Sequence, residues 1–571
     1  MDYRLKKSDY PLCPTVHDDN FRDMVMRCGE CYGDRPAFSY RVSPHDAASV
    51  TVSFRRVAED VRAYATALHA HGFSGKKVAL VGENSYEWIC SYLALATMGA
   101  ITVPVDKEYP AADMASILNT ARCEYLIASP LLGEKLPHLQ ENVPTLEGTV
   151  LFSGEGEVLT VHTMIETGRA ALAAGDTSYT DYVIDPDALL FIVFTSGTTG
   201  RGKGVMLTTR NILTDLETGI ALFDLPEKSF FLLPAHHTFA STANLLGHYA
   251  QGRELYISHG PRYVMNEIKT ENPTHLMLVP LYVETFYKKI FAAIEKQGKL
   301  SLIRRMMKIS NGLRRIGIDL REKLFGKVLS AFGTRMRLII CGGAALSQQI
   351  IDDLDALGIT ILNGYGITEC SPLISCNRNN YRKAGSVGRQ IAANSVRIAD
   401  PNERGEGEIC VKGSNVMIGY YEDPEATVAA FDEDGYFHTG DLGRLDEEGW
   451  IYITGRLKNL IILSNGKNVY PEELEIAIAG IYGVAEVIVY AGESRSDALK
   501  ELIVAEIYPD EEALALRGIT DKEKHFHDEI AKLNGSNAPH KKIGHVKLRT
   551  EEFPKTTTRK ITRFNIDKRI D

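Results

Sequence analysis

Apolar and polar positions fall in blocks along this chain, and the blocks change period. After a Gly-Phe-Ser-Gly turn, the run Lys77 to Val81 predicts a strand. Tyr86 to Met98 follows in helical register, then Ile101 to Val105 as a strand, Ala111 to Thr120 as a helix and Glu124 to Ile127 as a strand. This alternation predicts a largely parallel sheet with helices on both faces. The longest uncharged run, Trp88 to Val105, approaches the length of a membrane span, but Ser91, Thr97, Gly99, Thr102 and Pro104 interrupt it. It reads as a buried helix ending near Gly99, followed by a short strand.

Further on, Ala188 to Val193 predicts a buried strand, Val205 to Thr208 another, and Asn211 to Leu222 a helix. Phe230 to His237 reads as a strand ending in paired histidines. Leu338 to Ala345 and Ile359 to Glu369 are each a strand running into a Gly-rich turn. Such turns at strand ends are where α/β sheets bind nucleotides, because side chains are absent and amides are exposed. From Ser386 the turn residues come every few positions, which predicts a β-rich subdomain. Pro471 followed by three acidic residues starts a helix. With strands at Val484 to Tyr490 and Leu502 to Ile507 and a helix near His525 to Leu533, it makes a small α+β domain from about Asn459 onward.

The stretch Thr195 to Gly204 stands between two strand predictions and holds four hydroxyl side chains, four glycines, Arg201 and Lys203. Glycines let backbone approach a polyphosphate, hydroxyls and amides donate to it, and the cations neutralise it. Gly197 to Lys203 follows the Walker spacing, but Gly204 stands where that loop needs a hydroxyl for magnesium. Val205 to Thr208 also reads as extended chain, whereas a Walker loop opens a helix. A motor or GTPase reading is therefore excluded.

Composition narrows the class. The 571 residues suffice for two or three domains with large cores, and 44% apolar with 24% charged residues is a globular balance. A net charge of −10 argues against nucleic acid as the main partner. Nine scattered cysteines suggest reduced thiols and a cytoplasmic protein, and the lone pair Cys28 and Cys31 lacks the second pair or histidines of a zinc pattern. The start has charge but no apolar segment of signal-peptide type. Lys288 to Lys327 is the exception, with twelve lysines and arginines against three acidic residues. Leucine, isoleucine and methionine interleave there at helical spacing, predicting one or two amphipathic helices. The basic side is either a solvated face or a surface for anions, whether membrane lipid through residues 288–327 or the phosphates of coenzyme A.

The loop Thr195, Ser196, Gly197, Thr198, Thr199, Gly200, Arg201, Gly202, Lys203, Gly204 resembles the signature of the adenylate-forming acyl-CoA synthetases. With it, five motifs spanning Thr195 to Lys560 stand in the order the family shows, and the basic insert resembles that of the long-chain fatty acid branch. The resemblance implies an α/β fold: a large N-terminal adenylation domain (1–457) of parallel-sheet βαβ subdomains plus a β-rich subdomain, then a small mobile α+β C-terminal domain (458–571) hinged at Lys458.

It also implies site roles. The hydroxyl-rich loop, with Lys203, would hold ATP phosphates. Gly342, Gly343, Ala344, Asn363, Gly364, Tyr365 and Gly366 would border the adenine, with Thr368 on a phosphate and Glu369 on Mg2+. Asp441 and Arg456 would take the ribose, and His237 would border the carboxylate pocket, with His236 left undecided. Lys560 would be the catalytic lysine, although Arg559 stands where the family favours Gly; Lys555 is the alternative. The implied reaction is ATP-dependent activation of a medium- or long-chain fatty acid and transfer to coenzyme A. Loading of a carrier-protein arm, or an aromatic or other acid as substrate, is the alternative.

Overall fold

The computed structural model describes residues 12–195, 202–330, 333–379, 381–463, 467–492, 502–555, 561–563 and 566–569. The expected α/β class is observed. A seven-stranded sheet runs in the order Gly419–Tyr420, Lys203–Thr208, Leu189–Thr195, Ile101–Val105, Lys77–Val81, Tyr125–Ala128, Gly148–Leu151. Its last five strands are parallel, and the first two are added antiparallel at one edge. The run Trp88 to Val105 is core as expected: the helix Tyr86–Thr97 is buried along almost its whole length and feeds the strand Ile101–Val105. Among the described residues, no helix is long and apolar enough to cross a membrane.

A second sheet sets His275–Leu278, Leu338–Cys341 and Thr360–Gly366 side by side in parallel, then turns antiparallel through Leu373–Cys376. A third, of four strands, joins Val50–Ser53 and Pro36–Tyr40 to Glu254–Ile257 and Lys228–Phe231. The β-rich part is an antiparallel sheet of Asn394–Ala399, Gly407–Gly413, Phe437–Leu445 and Ile451–Arg456. Beyond Arg456 a one-turn helix, Leu457–Asn459, leads to a small α+β unit. There Val484–Gly492, Leu502–Pro509 and Ile543–Leu548 form a sheet, with the helices Pro471–Ala479 and Lys522–Ser536 around a separate core.

Two sequence expectations change. The strand predicted over Phe230 to His237 stops at Phe231. The Asn84 carboxamide takes over the next backbone groups, donating to Phe231 O and Leu233 O and accepting from Ala235 N. A side chain thus supplies the partners a neighbouring strand would have given. The basic insert holds three helices rather than one or two: Pro280–Lys296, Leu300–Arg314 and Arg321–Leu329. The first of these also touches the small unit, through Lys288 Nζ on Val484 O and Arg517 on Glu295 at 3.0 Å.

Candidate functional site

The hydroxyl-rich loop is closed by a hairpin. Leu189–Thr195 and Lys203–Thr208 pair antiparallel with Thr195 opposite Lys203, and Thr195 Oγ1 donates to Lys203 O. The two ends of the loop therefore meet. Ser196, Gly197, Thr198, Thr199 and Gly200 lie outside the described residues. The Lys203 ammonium lies over the Tyr420 ring, 4.5 Å from its centroid, and Tyr420 itself pairs with Val205 on the adjoining strand.

Parallel pairing brings the two Gly-rich turns together. Cys341 is in register with Asn363, so Gly342, Gly343 and Ala344 leave the sheet beside Asn363 to Gly366. A Cβ on Gly366 would stand 2.1 Å from Pro372 O, so only glycine lets the chain pass there. Glu369 sits in the one-turn helix Thr368–Cys370 and accepts from the Tyr420 hydroxyl at 3.1 Å. Burial raises the Glu369 pKa above its ordinary value.

Asp441 is 4% exposed. Its Oδ2 accepts from the Tyr365 hydroxyl at 2.8 Å, and its Oδ1 lies 2.8 Å from Arg456 Nε, its partner on the adjacent strand. Tyr365 is itself buried, with its hydroxyl committed to Asp441. The turn before Asp441 is braced from behind. Glu408 Oε1 accepts from Gly440 N, its Oε2 is 2.8 Å from His438 Nδ1, and Cys410 Sγ is 3.5 Å from the same nitrogen. These three side chains have metal-ligand chemistry, but in this arrangement they hold one another and the turn. Gly440 has φ of +71°, which the turn requires.

His236 and His237 stand in the segment pinned by Asn84, just before a π-helix, Phe239–Leu246. His236 Nε2 is 3.5 Å from Asp106 Oδ2, and burial pushes its imidazole down to about 3. His237 lines the same cleft as the Gly-rich turns, Glu369, Asp441 and Lys203. That cleft, of about 3270 Å³, also reaches apolar walls at Ile220, Phe223, Met277 and Ile340, and the small unit at Glu475 and Lys555. Lys555 is held by Glu486 and Glu552. Lys560 lies outside the described residues, and Lys458 is an exposed residue of the turn after Arg456.

The cleft thus brings together cations, amide-rich turns and two carboxylates of opposite character. Asp441 is anchored by a hydroxyl and a guanidinium; Glu369 is in an environment that disfavours its charge. A hard divalent cation beside Glu369 would compensate that charge, so the donor present fits Mg2+. Tyr420, Asn84 and Glu408 carry no local sequence signal for these roles. Each acts through pairing with a segment distant in the chain.

A model of the family described as AMP-binding enzyme matches residues 26–421. The chain is 29% identical to rat (Rattus norvegicus) long-chain-fatty-acid–CoA ligase 6 over 467 residues, which is 76% of this chain and 66% of that protein. It is 29% identical to guinea pig (Cavia porcellus) long-chain-fatty-acid–CoA ligase 1, over 90% of this chain and 77% of that one. Among solved structures, the ATP-bound MatB of Rhodopseudomonas palustris superposes with a TM-score of 0.72 at 25% identity, covering 94% of this chain and 96% of its own.

Proposed function

The chain belongs to the AMP-binding enzyme family, and we propose that it activates a medium- or long-chain fatty acid with ATP and passes the acyl group to coenzyme A. The observation that carries this reading is the convergence of Lys203, Glu369, Asp441 and Arg456 on one cleft that continues into apolar walls. An alkyl chain needs such walls, and a nucleotide needs the polar groups beside them.

In the first half, an oxygen of the fatty acid carboxylate forms a bond to the α-phosphorus as the bond to pyrophosphate breaks. The hydroxyl-rich loop and Lys203 take the charge of the departing phosphates. Asp441 accepts from the ribose hydroxyls, with Arg456 and Tyr365 fixing its orientation. Thr368 donates to a phosphate, and His237 borders the carboxylate. Glu369 would hold Mg2+, which when bound neutralises phosphate charge. Lys560 is assigned the bridging of carboxylate and α-phosphate. In the second half, a sulfur–carbon bond forms as the acyl–oxygen bond to AMP breaks, and the thiol proton leaves. We assign residues 1–457 to the large domain and 458–571 to the mobile one, with rotation at Lys458 clearing Lys560 from the site. Nine free thiols support a cytoplasmic setting.

Pyrophosphate release over a series of fatty, aromatic and branched acids tests the reading, followed by thioester formation with coenzyme A or a carrier protein. Release that rises with alkyl length and thioester formed on coenzyme A is expected. Preference for aromatic acids, or thioester only on the carrier protein, would replace the substrate or the acceptor. No release with any acid would end the proposal.

A further inference from the structure

The helix Leu300–Arg314 buries Ile303, Met307 and Ser310 on one side. On its outer side Leu302 and Ile309 are 53% and 57% exposed, and Ile316, in the turn that follows, is 71% exposed. Each lies about two turns beyond the last, so the three make one ridge. Scattered exposed apolar side chains are ordinary; a run of them in register on one element marks an interaction site.

Around the helix from this ridge, on the flank facing solvent, come Arg305, Lys308 and Arg315. Among the described residues no carboxylate pairs with any of these three. Arg314 and Arg321 turn inward to Asp355 instead. The sequence alone shows the charge of this insert; the structure adds that apolar and cationic side chains share one outward surface.

We propose that this surface docks the protein on an anionic lipid bilayer. The ridge enters the boundary between headgroups and acyl chains, and the cations meet lipid phosphates. Charge complementarity selects this occupant. A symmetric contact with a second copy would set Arg305, Lys308 and Arg315 against themselves, and nucleic acid would leave the ridge unused. With a net charge of −10 the molecule as a whole is repelled by an anionic surface, so the attraction is local and salt-sensitive. The helix just before, Pro280–Lys296, carries Tyr282, Tyr287 and Lys288 on the wall of the cleft. Docking would bring that wall toward the phase where fatty acids partition; this benefit rests on the fatty-acid reading, whereas the docking itself does not.

Cosedimentation tests it, with vesicles of phosphatidylcholine alone and of phosphatidylcholine mixed with phosphatidylglycerol, at low and high salt. The full chain should sediment with the mixed vesicles at low salt and be released by high salt. The Arg305→Glu and Lys308→Glu variants should weaken binding by on the order of fivefold or more per site. Ile309→Asn with Ile316→Asn should abolish it while all charges remain. Thermal melting of each variant controls for folding. Failure of the full chain to sediment at low salt overturns the proposal, as does binding that survives loss of the ridge. A dimer in light scattering that the ridge variant dissolves, without vesicle binding, assigns the surface to a second copy and also overturns it. Pyrophosphate release with a short soluble fatty acid, measured without vesicles, should be equal in variants and parent. Its absence in both would count against the enzyme reading and leave the docking result standing.

Discussion

Tyr420 donates its hydroxyl to Glu369 Oε1 at 3.1 Å while its ring lies beneath the Lys203 ammonium. One side chain thus joins the cation at the end of the hydroxyl-rich loop to the carboxylate assigned to Mg2+. Replacing Tyr420 by Phe keeps the ring and removes the hydroxyl. The hydrogen bond favours the charged carboxylate, so its loss sends an already raised Glu369 pKa higher. Because the ionised form is the one required, the acid limb of pyrophosphate release should move to higher pH. A pH–rate profile of Tyr420→Phe that overlays the parent's would break the link.

Asp441→Asn removes the charge that Tyr365 and Arg456 both address. Arg456 is largely exposed and recovers water, so the cost to stability should be about 1–2 kcal/mol. The larger effect should fall on ATP, with KM rising roughly tenfold if one charge-assisted contact to ribose is lost. Steady-state kinetics in ATP, beside denaturant melts, separate the two. A large stability loss with unchanged KM would make Asp441 a structural residue.

Asp355 is wholly buried among Arg314, Arg321 and Arg382. Burial alone would raise its pKa, but the guanidiniums of Arg382, Arg314 and Arg321 overcome it and hold the carboxyl well below the usual range. A depressed folded-state pKa contributes stability that is complete above the unfolded value, about 3.9, and is lost as pH falls through the folded one. Melting temperature should therefore decline below about pH 4 in the parent. Asp355→Asn should flatten that decline and cost about 3–5 kcal/mol at neutral pH, because buried guanidiniums lose their counter-charge. Equal acid sensitivity of the two proteins would show that the stability change comes from elsewhere.

Lys560→Ala should abolish most acyl-adenylate formation while thioester formation from supplied acyl-adenylate survives. Pyrophosphate release measures the first half, and thioester yield from the synthetic adenylate measures the second. Equal loss of both would refute the assigned division of labour. The parallel variant Lys555→Ala should spare both, since Glu486 and Glu552 already hold that ammonium.

Much of this arrangement is legible in the sequence because period and punctuation agree. The strands and helices between Lys77 and Ala128 are found within a residue or two of their expected ends, since buried strands and amphipathic helices leave different spacings. The hairpin that closes the hydroxyl-rich loop could be read from β-branched residues after Gly204. The extended segment before His237 could not be told from a strand, because its backbone partner is the Asn84 side chain. Tyr420 is followed directly by Tyr421, and nothing in the sequence singles out either one. Its place between Lys203 and Glu369 depends on a two-residue strand, Gly419–Tyr420, adding to the sheet edge. The exposed ridge of Leu302, Ile309 and Ile316 was hidden for a similar reason: periodicity shows that a helix has an apolar side, and only packing shows which apolar residues remain uncovered.

The helix Pro280–Lys296 forms part of the cleft wall through Tyr282 and Tyr287, and grips the small unit through Lys288 and Glu295. Any swing of that unit must first release both grips. Whatever occupies the cleft beside the two tyrosines therefore leans on the same rod that grips the small unit, and under the proposed rotation a tail long enough to shift that rod would alter the tempo of turning as well as the tightness of its own hold.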